Sequence, residues 1–489
     1  MNGSIYITTA IPYVNAPPHV GFALEAVIAD VLARRHRLSG ANVRFCTGTD
    51  ENSLKNVLAA DAAGKSPAEL VAEHALRYEA LGPALGIAFD DFIRTSTDPR
   101  HAPAVERLWS ACAERGDLYQ APYEGLYCTG CEQFYRADEL AQGLCEEHGT
   151  RPETVCETNW FFRLSRYGPL ILDHIERGAL RIEPAHRRNE VVRFIERGLA
   201  DISVSRSVAR AHGWGIPVPG DPTQIVYVWF DALANYISAL GYASEASAFT
   251  TFWQAADERI HVIGKGVSRF HAVYWPAILL SAGIALPTRL LVHGYVTVDG
   301  EKISKSLGNT IDPIVAARAC GVDAFRYYLL RHVGSHSDGD FSLARLQEAY
   351  ENDLGNRLGN LVSRVVGLLV RYFEGRAIDT APSDSDITRV ALALDERVDR
   401  HIEAFALHKA LAEIFDVVDA CNAFVNKTAP WVLAREARFD ELARVIGDLV
   451  WAVRRIGVAL RPFLPDTAAR LLDALAAPTA GDEVLFPRR

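Results

Sequence analysis

Two short motifs carry the side chains best suited to phosphate chemistry. Near the start of the chain, His19 and Gly21 lie in a Pro-His-Val-Gly-Phe turn, where an imidazole can donate and glycine lets a nucleotide approach the backbone. Past the middle, Lys302 and Lys305 lie on either side of Ser304 in a Lys-Ile-Ser-Lys-Ser segment. Lysine charge and hydroxyl donors stabilise phosphate oxygens. Together the motifs predict a site from which pyrophosphate is expelled.

A second set of residues has the spacing of metal ligands. Four of the eight cysteines crowd into one short stretch, where Cys128 and Cys131 precede Cys145 and His148. Two residues separate the members of each pair, which suits one tetrahedral Zn²⁺. Four protein ligands leave no open position for water, so this zinc is expected to be structural, and Cys156 is left outside the set. The other cysteines are expected to be small buried apolar residues: Cys46, Cys112, Cys320 and Cys421.

The local patterns predict the elements that position these motifs. Residues 4–9 form a β-type run, a helical pattern follows over about 22–38, and a second apolar strand covers 43–47. Polar residues at the ends of such strands indicate a doubly wound α/β sheet. Further helices are predicted at 66–83 and 101–115, further strands of the same sheet at 225–230, 260–264 and 289–294, and a helix bundle from about 340 to 461.

Size and charge restrict the class of protein. The chain has 489 residues and a formal net charge of −10, which argues against a general nucleic-acid binder but allows local Arg/Lys patches to bind one. No apolar stretch has the roughly 20 residues that cross a bilayer. The N-terminus lacks a basic region followed by an apolar run, so it is interpreted as a strand and not as a signal peptide. A cytoplasmic protein without a membrane partner is expected.

The two phosphate motifs, in this order, resemble the HIGH and KMSKS motifs of class I aminoacyl-tRNA synthetases. From about residue 4 to about residue 435 the chain is similar to methionine–tRNA ligases. The resemblance implies an AMP-forming ligase. The methionine carboxylate attacks the α-phosphorus of Mg·ATP, and the 3′-terminal ribose hydroxyl of tRNA then attacks the carbonyl of methionyl-adenylate. Catalysis in such a site is by positioning and charge stabilisation, with no side-chain nucleophile.

The resemblance also implies a domain organisation. It consists of a split Rossmann-like α/β catalytic domain, an inserted connective module that bears the zinc knuckle, and a C-terminal all-α helix-bundle anticodon-binding domain. The predicted boundaries are 1–116 and 225–295 for the two catalytic halves, 117–224 for the insertion, 296–345 for the KMSKS-type loop and connecting region, and 346–489 for the anticodon-binding domain.

The positions that bind methionine in the family match here. Aromatic walls suit a soft thioether, although any one such ring, without the family, is more often plain core. Asp50, in Gly-Thr-Asp-Glu-Asn-Ser, is expected to hold the substrate ammonium because a desolvated cation needs an opposite charge. The implied methionine-binding residues are Ala10, Ile11, Tyr13, Asp50, Trp229, Ala232, Tyr236, Phe270, His271 and Trp275.

The resemblance assigns the nucleotide site as well. His19, Lys302 and Lys305 are the implied catalytic residues, the lysines stabilising charge on the β- and γ-phosphates. ATP and Mg²⁺ are the implied cofactors, beside one structural Zn²⁺ that shapes the inserted module where the tRNA acceptor end enters. The implied ATP-binding residues are His19, Gly21, Phe22, Lys265, Lys302, Ser304 and Lys305.

The chain departs from the family pattern at several polar positions. Phe22 stands where the family has a second histidine, Asn52 and Ser53 replace His-Gly, and Gly266 replaces an aspartate. A lost hydrogen bond to a ligand costs on the order of 0.5–1.5 kcal/mol, so three scattered losses near ATP would cripple the site. A coordinated recasting is favoured, in which Phe22 and Gly266 change the shape of the site together.

Three residues of the C-terminal region suit RNA recognition. Asn360 and Arg364 lie one helical turn apart on one face, and Trp431 follows in Thr-Ala-Pro-Trp. Without the family they would be a surface pair and a buried tryptophan. In methionine–tRNA ligases the matching residues read the CAU anticodon, polar groups contacting base edges and the indole stacking on a base. The implied partners are L-methionine and initiator and elongator tRNA-Met.

Two other functions also fit the motifs. An amino-acid-activating paralogue would pass the acyl group to a small molecule, which the altered ATP site allows but Asn360, Arg364 and Trp431 oppose. A catalytically silent, tRNA-binding pseudo-synthetase would explain the lost polar groups but not the retained His19 and lysines. The chain lacks the appended dimerisation domain of some family members, so a monomer is expected.

Overall fold

A computed structural model describes residues 3–130, 132–135, 140, 142–146, 149–303, 308–378, 382–479 and 485–487. The chain divides into two compact units. The first unit contains residues 1–18, 36–82 and 88–292, and the second contains 19–35, 83–87 and 293–489. Within the described part of the chain, no helix has both the length and the apolar character needed to cross a membrane.

A six-stranded sheet organises the first unit. Ser4–Thr9 pairs in parallel with Asn42–Thr49 and with Glu258–Gly264, and all but its first residue are buried. Such burial explains the continuous apolar run of the sequence. The strand order reverses beside Ser4–Thr9, and ligands bind at the carboxyl ends of strands at such a point. From one edge to the other, the strands are Asp91–Arg94, Asn42–Thr49, Ser4–Thr9, Glu258–Gly264, Arg289–His293 and Arg181–Glu183.

Helices and short helical turns connect these strands. The predicted helices at 66–83 and 101–115 are confirmed as Pro67–Glu79 and His101–Glu114. Pro67–Glu79 begins at a capping box of Ser66 and Glu69, which satisfies free backbone N–H groups at its start. The other helices of the unit include Leu54–Ala63, Gly168–Glu176, Ala185–Glu196, Val228–Leu233, Asn235–Ser238 and Trp275–Ser281.

The prediction of a sheet strand at 225–230 is wrong. Strand Asp221–Val226 belongs to a separate antiparallel sheet with Ser205–Ser207 and Pro217–Val218, and Val228–Leu233 is helical. The whole run from Gln224 to Val228 is buried. A short, fully buried apolar segment has no periodicity that separates strand from helix.

The region predicted as an insertion contains a four-stranded antiparallel sheet. Its long central pair is Leu118–Cys128 with Glu153–Phe162, so Cys128 ends a strand. The edge strands are Gln133–Tyr135 and Ile202–Ser203. Two predicted zinc ligands, Cys131 and His148, lie outside the described residues.

The second unit is mainly helical, which confirms the predicted bundle. Leu407–Thr428 packs against Leu394–Glu403 and Phe439–Leu460. A small sheet joins Glu301–Lys302, Val296–Val298 and Gly339–Phe341. Helix Val20–Leu38 belongs to this unit as far as residue 35. The other helices of the unit include Pro313–Cys320, Val322–Tyr328, Leu343–Ala349, Asn360–Phe373, Asp386–Leu392, Pro430–Arg435 and Pro465–Ala476.

The four scattered cysteines of the two units are all buried, as predicted: Cys46, Cys112, Cys320 and Cys421.

Candidate functional site

Asp50 is a buried acid at the carboxyl end of strand Asn42–Thr49. Its backbone N–H donates to the Pro12 carbonyl over 2.9 Å, and it forms a parallel bridge with Tyr13. The residue is 2% exposed, and its Oδ1 has no hydrogen-bond partner among the described residues. Burial, together with the charges of Asp231 and Glu132, raises the pKa of the Asp50 carboxyl well above its ordinary value. A carboxylate in this position is stabilised by a bound cation.

Tyr13, the bridge partner of Asp50, belongs to a set of aromatic rings from three segments of the first unit. The ring centres of Tyr13 and Trp229 are 6.3 Å apart, and Trp229 stacks on Phe270 with 3.6 Å between centres and 6° between planes. Ala232 lies one helical turn after Trp229 and is buried, while Ala10 and Ile11 precede Tyr13 and are half-buried. An apolar, polarisable lining of this kind suits a thioether chain.

Tyr236, His271 and Trp275 continue the aromatic set and are all buried. The Tyr236 hydroxyl donates to His271 Nε2 over 2.6 Å, because His271 Nδ1–H donates to the Val267 carbonyl at 2.9 Å. Burial lowers the pKa of His271 to about 4, so the ring is neutral at pH 7. Phe270–Tyr274 is a π-helical turn, a feature common at functional sites. All ten predicted methionine-binding residues therefore lie in the first unit, and ring contacts connect Tyr13, the bridge partner of Asp50, through Trp229 and His271 to Tyr236 and Trp275.

Several residues near this pocket were not singled out from the sequence. His261 stacks on Tyr236 with 4.1 Å between ring centres, and its Nδ1 lies 2.6 Å from Thr8 Oγ1. Burial lowers the pKa of His261 well below its ordinary value. A histidine inside an apolar strand run was the available signal. Asp231 and Glu132 gave no comparable signal, because only the folded chain brings their charges near Asp50.

The His19 turn lies in the second unit at the start of helix Val20–Leu38. His19 Nδ1 accepts from the Gly21 N–H over 3.1 Å, and burial lowers the pKa of His19 to about 4. The neutral ring therefore presents Nε2–H as a donor. A Cβ at Gly21 would lie 2.9 Å from His19 Cε1, so a larger residue there would displace the His19 ring. The Phe22 ring centre is 4.5 Å from that of His19, where it packs but cannot donate.

The lysine loop also belongs to the second unit. Lys302 is exposed at the end of strand Glu301–Lys302, and its carbonyl accepts from Asn309 Nδ2 over 3.0 Å. Its Nζ lies 5.8 Å from the ring centre of Tyr295. Ser304 and Lys305 lie outside the described residues. Lys265, in the first unit, follows the carboxyl end of strand Glu258–Gly264.

The three predicted anticodon-binding residues lie in the helical part of the second unit. Asn360 and Arg364 are on helix Asn360–Phe373, with Asn360 exposed. Arg364 Nη2 donates to Asn426 Oδ1 over 2.6 Å, so a neutral amide orients the guanidinium. Trp431 is 47% exposed, which rules out the plain buried tryptophan that its sequence context alone would suggest.

Two of the four predicted zinc ligands are described, and both are buried. Cys128 Sγ lies 3.9 Å from Thr150 Oγ1, and Cys145 Sγ lies 3.5 Å from the Tyr135 hydroxyl. Cysteine sulfur is a common zinc ligand, so both thiols have the chemistry that a zinc site needs. No group of three metal-binding side chains occurs among the described residues, which omit Cys131 and His148. Cys156, outside the predicted set, is exposed.

Two models of known protein families match this chain. A family model described as class I tRNA synthetases (M) matches residues 5–151 and 135–366. A second model, described as the anticodon-binding domain of methionyl tRNA ligase, matches residues 381–483. The chain belongs to the methionine–tRNA ligase family. Both the catalytic and the anticodon-binding part of these ligases are therefore present.

Individual methionine–tRNA ligases are similar over almost the whole chain. The enzyme of Caldanaerobacter subterraneus subsp. tengcongensis is 40% identical over 97% of this chain and 74% of its own length. That of Brucella melitensis is also 40% identical, over 97% of this chain and 92% of its own. The Mycobacterium tuberculosis methionyl-tRNA synthetase in complex with methionyl-adenylate has a TM-score of 0.93 and 38% identity, and both chains are covered completely.

The predicted function is confirmed. This ligase-family chain uses ATP to activate L-methionine to methionyl-adenylate, and then transfers the methionyl group to tRNA with release of AMP. The paralogue and the silent pseudo-synthetase are the less supported alternatives, because similarity to methionine–tRNA ligases extends through both the catalytic and the anticodon-binding regions.

Proposed function

We propose that the pocket around Asp50 binds L-methionine, with the substrate ammonium on Asp50 and the thioether among the rings of Tyr13, Trp229 and Phe270. The observation that carries the proposal is the buried Asp50 Oδ1 without a described partner, at the carboxyl end of a sheet strand. A desolvated ammonium is the group that such an oxygen requires. The hydrogen bond between Tyr236 and His271 fixes these two side chains relative to each other.

The nucleotide roles predicted from the motifs are part of the same proposal. His19 donates through Nε2–H to a phosphate oxygen of ATP, while Lys302 and Lys305 stabilise charge on the β- and γ-phosphates. The low pKa of His19 supports a neutral donor. Gly21, Phe22, Lys265 and Ser304 complete the proposed ATP contacts, and Mg²⁺ accompanies ATP.

The tRNA roles rest on the second unit. Asn360 and Arg364 contact base edges of the CAU anticodon, and Trp431 provides a stacking face. Because this anticodon is common to both, initiator and elongator tRNA-Met are the proposed substrates. The proposed domain boundaries are those derived from the sequence, and the proposed enzyme is a cytoplasmic monomer.

One structural Zn²⁺ is proposed for the knuckle, held by Cys128, Cys131, Cys145 and His148. The two buried thiols that the structure describes support this set. Zinc bound by four protein ligands supplies folding energy and no catalytic water. The ion would therefore hold the turn between strands Leu118–Cys128 and Glu153–Phe162 in shape.

The zinc proposal predicts the metal content of matched cysteine variants. Cys128→Ser and Cys145→Ser should each lower the bound zinc of the purified protein from about one ion per chain to nearly none. The matched control is Cys156→Ser, which should keep its zinc because the exposed Cys156 lies outside the set. Metal content is measured by atomic emission. Equal zinc loss in all three variants, or no zinc in the parent protein, would contradict the assignment.

Methionine-dependent exchange of labelled pyrophosphate into ATP, without tRNA, tests the proposed methionine and nucleotide sites. The exchange should occur with L-methionine and be near background with leucine, isoleucine and glutamine, because an apolar, sulfur-compatible pocket discriminates by shape and contact. Exchange with another amino acid but not methionine would overturn the assigned pocket. No exchange with any amino acid would overturn the assigned nucleotide site.

A further inference from the structure

Two residues that follow Asp50 each donate a hydrogen bond to a carboxylate distant in sequence. Asn52 Nδ2 donates to Asp231 Oδ2 over 2.8 Å, and Ser53 Oγ donates to Glu132 Oε1 over 2.8 Å. Ser53, Glu132 and Asp231 are each at most 1% exposed to solvent. Asn52 and Ser53 stand where the family has His-Gly. Both substituted side chains therefore make hydrogen bonds within the first unit.

The same contacts continue to the backbone that carries Asp50. Ser53 caps helix Leu54–Ala63: its Oγ accepts from the Lys55 N–H at 3.0 Å, and Glu132 Oε1 accepts from the same N–H at 2.9 Å. On the first turn of that helix, Asn56 Nδ2 donates to the Asp50 carbonyl over 3.0 Å. The Asn52 backbone N–H also bonds the Asp50 carboxylate.

The Asp231 carboxylate and the Glu132 backbone are each held by a further hydrogen bond. Asp231 Oδ1 accepts from His101 Nε2 at 2.6 Å, and the Glu132 carbonyl accepts from the Tyr227 hydroxyl at 2.5 Å. Both carboxylates also lie close enough to repel a charge on Asp50. A donor on each of them therefore fixes the Asp50 loop and reduces this repulsion, since a hydrogen bond to a carboxylate spreads its charge.

We infer that Asn52 and Ser53 are positioning residues for the methionine ammonium, and that they act by tying the Asp50 loop to Asp231 and Glu132. The inference rests on the proposed role of Asp50. It assigns Asn52 to the methionine side of the site, whereas the family pattern places the residue at this position near the nucleotide.

Steady-state pyrophosphate exchange with methionine and ATP varied separately tests the inference. Asn52→Ala and Ser53→Ala should each raise KM for methionine about tenfold, with KM for ATP and kcat within about twofold of the parent. Asn52→Asp keeps the shape of the side chain but faces Asp231 with a second carboxylate, so it should raise KM for methionine further. Ser53→Thr, which keeps the hydroxyl, should behave like the parent. Inhibition by L-methioninol, which shares the ammonium and thioether, should weaken in parallel.

The matched control is Ser66→Ala, which removes the cap of the next helix, Pro67–Glu79, without touching the Asp50 loop. It should leave both KM values unchanged, so loss of a helix cap is separated from positioning. A rise in KM for ATP instead, or no change in any Asn52 or Ser53 variant, overturns the inference. Asp50→Asn is measured in parallel. If that variant keeps the parent KM for methionine, the role of Asp50 itself is wrong. If only Asp50→Asn is impaired, the inference alone fails.

Discussion

Replacing Asp50 with asparagine should lower kcat/KM for methionine in the exchange reaction by about 30-fold to several thousand-fold. Removing one partner of a buried, hydrogen-bonded charge pair costs about 2–5 kcal/mol, and 1.4 kcal/mol is tenfold. Asparagine keeps the shape of the side chain but leaves the substrate ammonium without an opposite charge. KM for ATP should change little. The measurement is the same exchange assay, with each substrate varied in turn.

The raised pKa of Asp50 gives this variant a pH signature. Ammonium binding needs the carboxylate, so in the parent enzyme KM for methionine should rise as pH falls through the pKa that burial, Asp231 and Glu132 have raised. In Asp50→Asn, KM for methionine should not rise in this way as pH falls. Other charged groups around the loop include Glu51, which pairs with Arg94, and Lys55. A parent profile that stays flat under acid conditions would contradict the role of Asp50.

Asp50→Asn should also be no less stable than the parent at neutral pH. A carboxyl whose folded pKa lies above its unfolded value contributes stability at low pH and loses it as pH rises through the folded pKa. Asparagine does not ionise, so the variant does not lose stability in this way as pH rises. The matched control is Asp61→Asn, at an exposed position of helix Leu54–Ala63, which should change neither KM nor the unfolding temperature. A variant that loses activity because it unfolds would instead show a lower transition temperature.

Replacing Trp431 with alanine should lower kcat/KM for tRNA charging by about 5- to 150-fold. Stacking of a base on an aromatic ring is worth about 1–3 kcal/mol by alanine substitution. Because 47% of Trp431 is exposed, part of the side chain is accessible to an RNA base. Methionine-dependent exchange without tRNA should stay at the parent level. Charging is measured with tRNA-Met as the varied substrate.

Two variants make this result specific. Trp431→Phe keeps a stacking face and should recover most of the loss. Phe439→Ala removes another exposed aromatic side chain of the same helical unit, 62% exposed, and should leave charging unchanged. Equal losses in Trp431→Ala and Phe439→Ala would indicate a general disturbance of the bundle. Unchanged charging in Trp431→Ala would contradict the stacking role.

Much of the fold follows from local sequence patterns. The strand at residues 4–9, the helix that begins near residue 20 and the C-terminal bundle were predictable, because hydrophobic periodicity and capping residues are local signals. The segment 225–230 was not predictable, because a short buried run carries no such signal and its environment decides between strand and helix.

In the candidate site, too, the sequence determined some features and the tertiary structure determined others. The sequence alone determined which residue types are available: an imidazole and lysines for phosphate, an acid for an ammonium, aromatic rings for a thioether and paired cysteines for zinc. Only the tertiary structure decided that Asp50 is desolvated beside Asp231 and Glu132, that Trp431 is exposed, and how Asn52 and Ser53 are bonded. Burial and hydrogen bonding between residues distant in the chain set charge and position, and neither can be read from spacing along the sequence.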